Sequence, residues 1–125
     1  MEPVAVLDLG TNSVKLLVAR LEQGRPVPLL DRQEIVRLGD GLAASGVFSE
    51  EAMNRTLEAL RGLAAQARGL GAVRFVAVGT MGFRTARNGA AFAERIRGEI
   101  GVEVRVLPGE EEARQVRDVP VPRRA

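Results

Sequence analysis

Three short segments of this sequence group residue types able to handle an anion. The first is Asp8-Leu9-Gly10-Thr11-Asn12-Ser13, a carboxylate at the end of an apolar run followed by a turn rich in glycine and hydroxyls. Successive backbone N–H groups in such a turn can cradle an anion. Thr11, Asn12 and Ser13 add side-chain donors, and Asp8 can hold Mg²⁺ through water. Lys15 follows within reach of a phosphate bound there. The same residues also suit a plain hairpin, because Asn and Gly favour turns whatever they bind. Lys15 equally suits a strand edge, its stem lying along apolar surface. The second segment runs from Gly79 through Thr80, Met81, Gly82, Phe83 and Arg84 to Arg87. It follows a β-prone run, the place where open α/β sheets put ligands. Arg84 and Arg87 would share a face if the segment is helical; a solvated connector fits it too. The third is Glu110-Glu111-Glu112-Ala113-Arg114. Adjacent carboxylates repel, which can raise one of them toward the range of a general base. An acid-rich first helical turn has the same composition.

Other chemistry is excluded by composition. The 125 residues include no His, Cys, Trp or Tyr. Ser-His-Asp and Cys-His nucleophiles therefore cannot form. Nor can a zinc site of thiolate and imidazole, or a disulfide. Hard, oxygen-liganded Mg²⁺ is the metal that suits the remaining groups. Eighteen basic against sixteen acidic residues give a net charge of +2. With almost nothing titrating between carboxylates and ammonium groups, that small excess lifts the isoelectric point to about 10.3. The value is no sign of a nucleic-acid partner, and none is expected. Lys15 is the sole lysine among the basic residues. No apolar run is long enough to cross a membrane, and Met1-Glu2-Pro3 lacks a basic leader. A cytoplasmic location is expected.

The elements that must position these groups follow from the patterning. Val4–Leu9 and Val14–Ala19 are short apolar runs separated by a turn signal, which predicts a hairpin with a three- or four-residue loop. Val27–Leu38 reads as a third, more polar strand nearer an edge. Ser49 is an N-cap signal with Glu50 and Glu51 in the first turn. Met53, Thr56, Leu57, Leu60, Leu63, Ala64 and Ala67 then form one apolar stripe, ended by Gly69 and Gly71. Val73–Val78 is a strand. Asn88 is placed to cap a second helix carrying Phe92, Ile96 and Ile100, with Gly101 as its stop. Val102–Leu107 alternates as a strand, and Glu110–Val116 reads as a further helix start. The order β-β-β-α-β-α-β predicts an α/β domain: a mixed five-stranded sheet in the ribonuclease-H-like layout of actin-like ATPases.

The segments together, in this order, resemble the exopolyphosphatase/guanosine pentaphosphate phosphohydrolase (Ppx/GppA) family. Four stretches carry the likeness: V-L-D-L-G-T-N-S-V-K-L at 6–16, R-L-G-D-G-L with G-V-F-S-E-E-A at 37–52, the 80–89 run ending A-R-N-G, and G-E-E-E-A-R at 109–114. The resemblance implies an N-terminal actin-like domain over 1–116 and a disordered or non-family tail over 117–125. It implies hydrolysis of a terminal phosphoanhydride, in inorganic polyphosphate or in guanosine pentaphosphate (pppGpp), with Mg²⁺ as cofactor. By the same resemblance the first phosphate loop falls on Gly10, Thr11, Asn12 and Ser13 with Lys15 beside it. Asp8 falls on the metal side, Arg84 on the phosphate-contacting arginine, and Glu112 on the catalytic glutamate that orients or deprotonates the attacking water.

Two departures from the family pattern stand out. The loop after the fourth strand usually reads T-S-A and here reads Thr80-Met81-Gly82, which loses a hydroxyl. The pattern is left at Arg117, ahead of the family's second, D-x-G-G-G-S-type phosphate loop and partner domain. The resemblance therefore implies a truncated product or domain fragment, weakly active or inactive alone. The alternatives are a non-catalytic polyphosphate- or nucleotide-binding or assembly module, as a homodimer or paired with another chain, and half of an actin-like kinase that uses ATP.

Overall fold

The computed structural model describes residues 2–107. Three strands open the chain: β1 (Val4–Leu9), β2 (Ser13–Glu22) and β3 (Arg25–Ile35). A single helical turn, α1 (Leu42–Ser45), leads to the long α2 (Glu50–Gly69). β4 (Arg74–Gly79), the one-turn α3 (Met81–Thr85), α4 (Gly89–Ile100) and β5 (Val104–Val106) follow. The strands form one sheet in the order β3-β2-β1-β4-β5. β1 pairs antiparallel with β2 and parallel with β4, so it sits at the centre. This is the mixed five-stranded α/β sheet that the sequence order predicts.

Strand alternation decides which side chains the helices cover. In β1, Ala5, Leu7 and Leu9 are fully buried while Val4, Val6 and Asp8 are half-buried. Register places Leu7 beside Leu16 of β2 and Ala77 of β4 on the covered face. These residues join Leu57, Leu60 and Leu63 of α2 and Phe92 and Ile96 of α4 in one core. Each such leucine contributes about 1.5–3 kcal/mol by leaving water. Thr56, the buried polar member of the α2 stripe, donates its hydroxyl to the Ala52 carbonyl at 2.9 Å. Ser49 caps α2 as its type predicts, accepting from the Ala52 amide at 3.0 Å.

Two expectations are corrected. Asn88 stands at the start of α4 but makes no side-chain cap. Its carboxamide instead clasps Phe48: the Phe48 amide donates to Oδ1 at 2.8 Å, and Nδ2 donates to the Phe48 carbonyl at 3.0 Å. The clasp wins because it satisfies two partly buried backbone groups at once. It also holds Phe48 against Phe83 and Phe92, with ring centroids 5.4 and 5.9 Å away in edge-to-face geometry. The second correction concerns β3, which stops at Ile35 rather than Leu38. There the Val36 and Arg37 amides both turn to the Asn12 carbonyl, at 2.9 Å each. Arg37 takes a left-handed backbone, φ 50°, to do so.

Candidate functional site

Asp8 is the last residue but one of β1, and Lys15 is its cross-strand partner on β2. Between them the chain reverses through Gly10-Thr11-Asn12, closed by the Gly10 amide donating to the Ser13 carbonyl at 3.0 Å. The turn is fixed from behind. The Asn12 carbonyl accepts from Val36 and Arg37, and the Thr11 carbonyl accepts from Gly39 at 2.8 Å. The Thr11 and Asn12 amides, by contrast, donate to no acceptor among the described residues. The turn thus has the Thr11 and Asn12 carbonyls engaged within the fold and the two N–H groups without a protein acceptor among the described residues, as a turn that receives an anion would.

Asp8, Lys15 and Thr80 join the 10–13 turn around a cleft of about 300 Å³. Thr80 arrives from the end of β4, its amide and hydroxyl both donating to the Leu9 carbonyl at 3.2 Å. Asp8 Oδ1 is buried without a hydrogen-bond partner. Burial accordingly holds the Asp8 carboxyl above its ordinary pKa, against the opposing pull of the Lys15 charge. A half-buried carboxylate with one oxygen orphaned, on a residue that lines a cleft with hydroxyls, is a poor element of a fold and a good ligand for a hard cation. Among the described residues no cluster of three metal-ligating side chains exists. Asp8 is the one carboxylate among the described residues lining this cleft, and a single carboxylate with waters and substrate oxygens is a donor set in which Mg²⁺ can be held.

Asp8, Gly10, Thr11, Asn12, Ser13 and Lys15, predicted separately from sequence, are thus brought to one cleft. Arg84 is not among its lining residues. It sits on α3, where its Nη1 donates to the Leu107 carbonyl at 2.8 Å, tying α3 to the chain that leads on toward Glu112. Glu112 itself lies outside the described residues. Arg87 does not share a face with Arg84: α3 ends at Thr85, and Arg87 donates instead to the Ser45 carbonyl at 3.1 Å.

Two contributors lay in the second candidate segment without a role assigned to them. Thr80 stood there as part of a Gly-Thr pair after a strand. Gly82 was read as a departure from pattern, yet a Cβ there would come within 2.4 Å of the Thr11 methyl. The glycine makes room for Thr11 of the 10–13 turn.

The strand order and this turn can be compared with known proteins. The sequence model of the Ppx/GppA phosphatase family matches residues 17–117. The chain belongs to that family. Its curated relatives include a guanosine-5'-triphosphate,3'-diphosphate pyrophosphatase of Photobacterium profundum, 37% identical over 88% of this chain and 22% of the relative. Another is exopolyphosphatase 1 of Mycobacterium tuberculosis, 31% identical over 89% of this chain and 33% of the relative. Among solved structures, an exopolyphosphatase from Cytophaga hutchinsonii superposes with a TM-score of 0.88 at 31% identity, over 96% of this chain and 39% of its own. The Aquifex aeolicus Ppx/GppA family member gives 0.86 at 31% identity, over 90% and 37%. The family's actin-like fold is therefore the fold of this chain. The chain spans between about a fifth and two-fifths of the length of these Ppx/GppA relatives.

Proposed function

We propose that this chain carries the first phosphate-binding half of an enzyme that hydrolyses the terminal phosphoanhydride of inorganic polyphosphate or of pppGpp. The observation that carries the reading is Asp8 Oδ1, buried and unpartnered beside a turn whose Thr11 and Asn12 amides have no acceptor. A fold keeps such an arrangement only if something else completes it. A phosphate on the turn with a cation at Asp8 completes both. The named relatives, a pyrophosphatase of guanosine pentaphosphate and exopolyphosphatases, support the same substrate class.

In this reading the Thr11 and Asn12 amides and the Thr11 and Ser13 hydroxyls hold the oxygens of the terminal phosphate, and Lys15 offsets its charge. Asp8 holds Mg²⁺ through water, and the ion supplies further neutralisation of the phosphate oxygens. Arg84, on the β4–β5 side, meets the same phosphate group. Glu112 orients or deprotonates the water whose oxygen attacks phosphorus as the bridging P–O bond breaks. Phosphoryl transfer asks chiefly for positioning and charge neutralisation, and this residue set offers both. The substrates, the metal and any partner domain or second copy belong to the assembled cleft of the whole enzyme.

Calorimetric titration with tripolyphosphate, with Mg²⁺ and with EDTA, tests the binding half of this reading. Wild type should bind in Mg²⁺. Asp8→Asn should weaken that binding at least about tenfold, the worth of one charge-assisted contact, while changing affinity little in EDTA. Failure of the wild type to bind, or equal affinity of the variant in Mg²⁺, refutes it. The catalytic half is tested by phosphate release from polyphosphate or pppGpp. A Glu112→Gln variant as active as wild type removes Glu112 from its role.

A further inference from the structure

The Thr11–Asn12 turn is shared by two clefts. One is the Asp8 cleft described above. The other, of about 520 Å³, shares Thr11 and Asn12 with it and is lined also by Arg37, Gly39, Leu42 and Thr85 among others. The one cation lining it is Arg37. Its guanidinium is exposed and makes no hydrogen bond or ion pair among the described residues. The acid of that cleft, Asp40, is engaged by Arg55 at 3.5 Å.

The Arg37 backbone is unusual in a way that matters. Its φ of 50° is left-handed, a conformation that favours glycine or asparagine over arginine. The surroundings over-determine it. Its amide donates to the Asn12 carbonyl at 2.9 Å, and its carbonyl accepts from the Asp40 amide at 3.1 Å and from Arg55 Nη2 at 3.1 Å. Arg55 Nε also donates to the Val36 carbonyl at 2.9 Å. Strain held this firmly, at a residue whose long cationic side chain has no internal use, points to a role for that side chain outside the fold.

We infer that Arg37 binds the next phosphates along the substrate chain, so that a linear phosphate held terminally in the Asp8 cleft continues over the Thr11–Asn12 turn to the Arg37 guanidinium. This rests on the proposed function, because it presumes the terminal phosphate at the turn. It adds a length-sensing contact. On this inference pyrophosphate occupies the turn alone, whereas a chain of three or more linked phosphates also engages Arg37. Arginine suits the role through its bidentate match to phosphate oxygens.

Affinities for pyrophosphate and tripolyphosphate in Mg²⁺ test it by calorimetry. Arg37→Gly removes the cation and is compatible with the left-handed backbone, so it should fold at least as stably as wild type; Arg37→Asn is a second such variant. Both should weaken tripolyphosphate binding about tenfold and pyrophosphate binding less than about twofold. Arg25→Gln, which removes one positive charge at the remote β2–β3 turn, should change neither. If both Arg37 variants bind tripolyphosphate as wild type does, or lose both ligands equally, the inference is overturned while the turn's role stands. If wild type binds neither ligand, the phosphate-turn reading fails and this one with it.

Discussion

Replacing Gly82 by alanine isolates how the Gly10–Ser13 turn is seated. A Cβ at 82 would stand 2.4 Å from Thr11 Cγ2, where carbon–carbon contacts ordinarily relax to about 3.5–4.0 Å. The Phe48 ring edge, at 3.4 and 3.5 Å, is ordinary contact, so Thr11 is the obstacle. The Thr11 methyl must therefore rotate or shift to make room. Overpacking of this kind costs about 1–3 kcal/mol. Alanine's helix preference over glycine returns up to about 1 kcal/mol at a position inside α3. The net expectation is about 1 kcal/mol of destabilisation, a drop of roughly 4 °C in melting temperature. Thr11→Ser removes the offending methyl and keeps the hydroxyl. In that background Gly82→Ala should become neutral or stabilising, a reversal of sign. Urea denaturation of the four proteins in the cycle measures it. Gly82→Ala having the same sign and size in both backgrounds would refute the packing argument, and with it the explanation of why this loop reads Thr-Met-Gly.

Asp8→Asn should stabilise the fold near neutral pH, since asparagine keeps the unpartnered buried position but carries no charge for burial to penalise. The carboxyl's pKa is raised on folding, so folding takes up protons there; the cost is absent in acid and grows as pH rises from the ordinary carboxylate range through the raised value. The gap in melting temperature between variant and wild type should therefore widen with pH and then level off, and a constant gap would count against it. Asn88→Ala should lose about 2–3 kcal/mol in urea unfolding, because the Phe48 amide and carbonyl both lose their partner; a loss under about 0.5 kcal/mol would mean that water replaces the clasp.

The fold was legible where local signals agreed with burial. Ser49, Glu50 and the Met53–Ala67 stripe fixed α2 because cap, dipole and period all pointed one way. The Asp8–Ser13 turn was legible because a strand end, a glycine and hydroxyls fall within six positions. What escaped was set by contacts distant in sequence. Asn88 has the residue type of a cap, and only the position of Phe48 diverts it. Arg84 and Arg87 have helical spacing, but α3 closes at Thr85, so the two guanidinium groups reach Leu107 and Ser45. Gly82 looked like a loss against the family pattern because no sequence signal reports the Thr11 methyl beside it.

The three amides of Val36, Arg37 and Gly39 that grip the turn's carbonyls have a consequence for ligand binding itself. A loop that becomes ordered only on binding its ligand loses affinity to the conformational entropy given up at that moment. Here the turn loses its freedom when the chain folds. On the proposed function, a phosphate arriving at Thr11 and Asn12 would meet a turn already held in place, and the entropic cost left to the encounter would fall mainly on the ligand and its water.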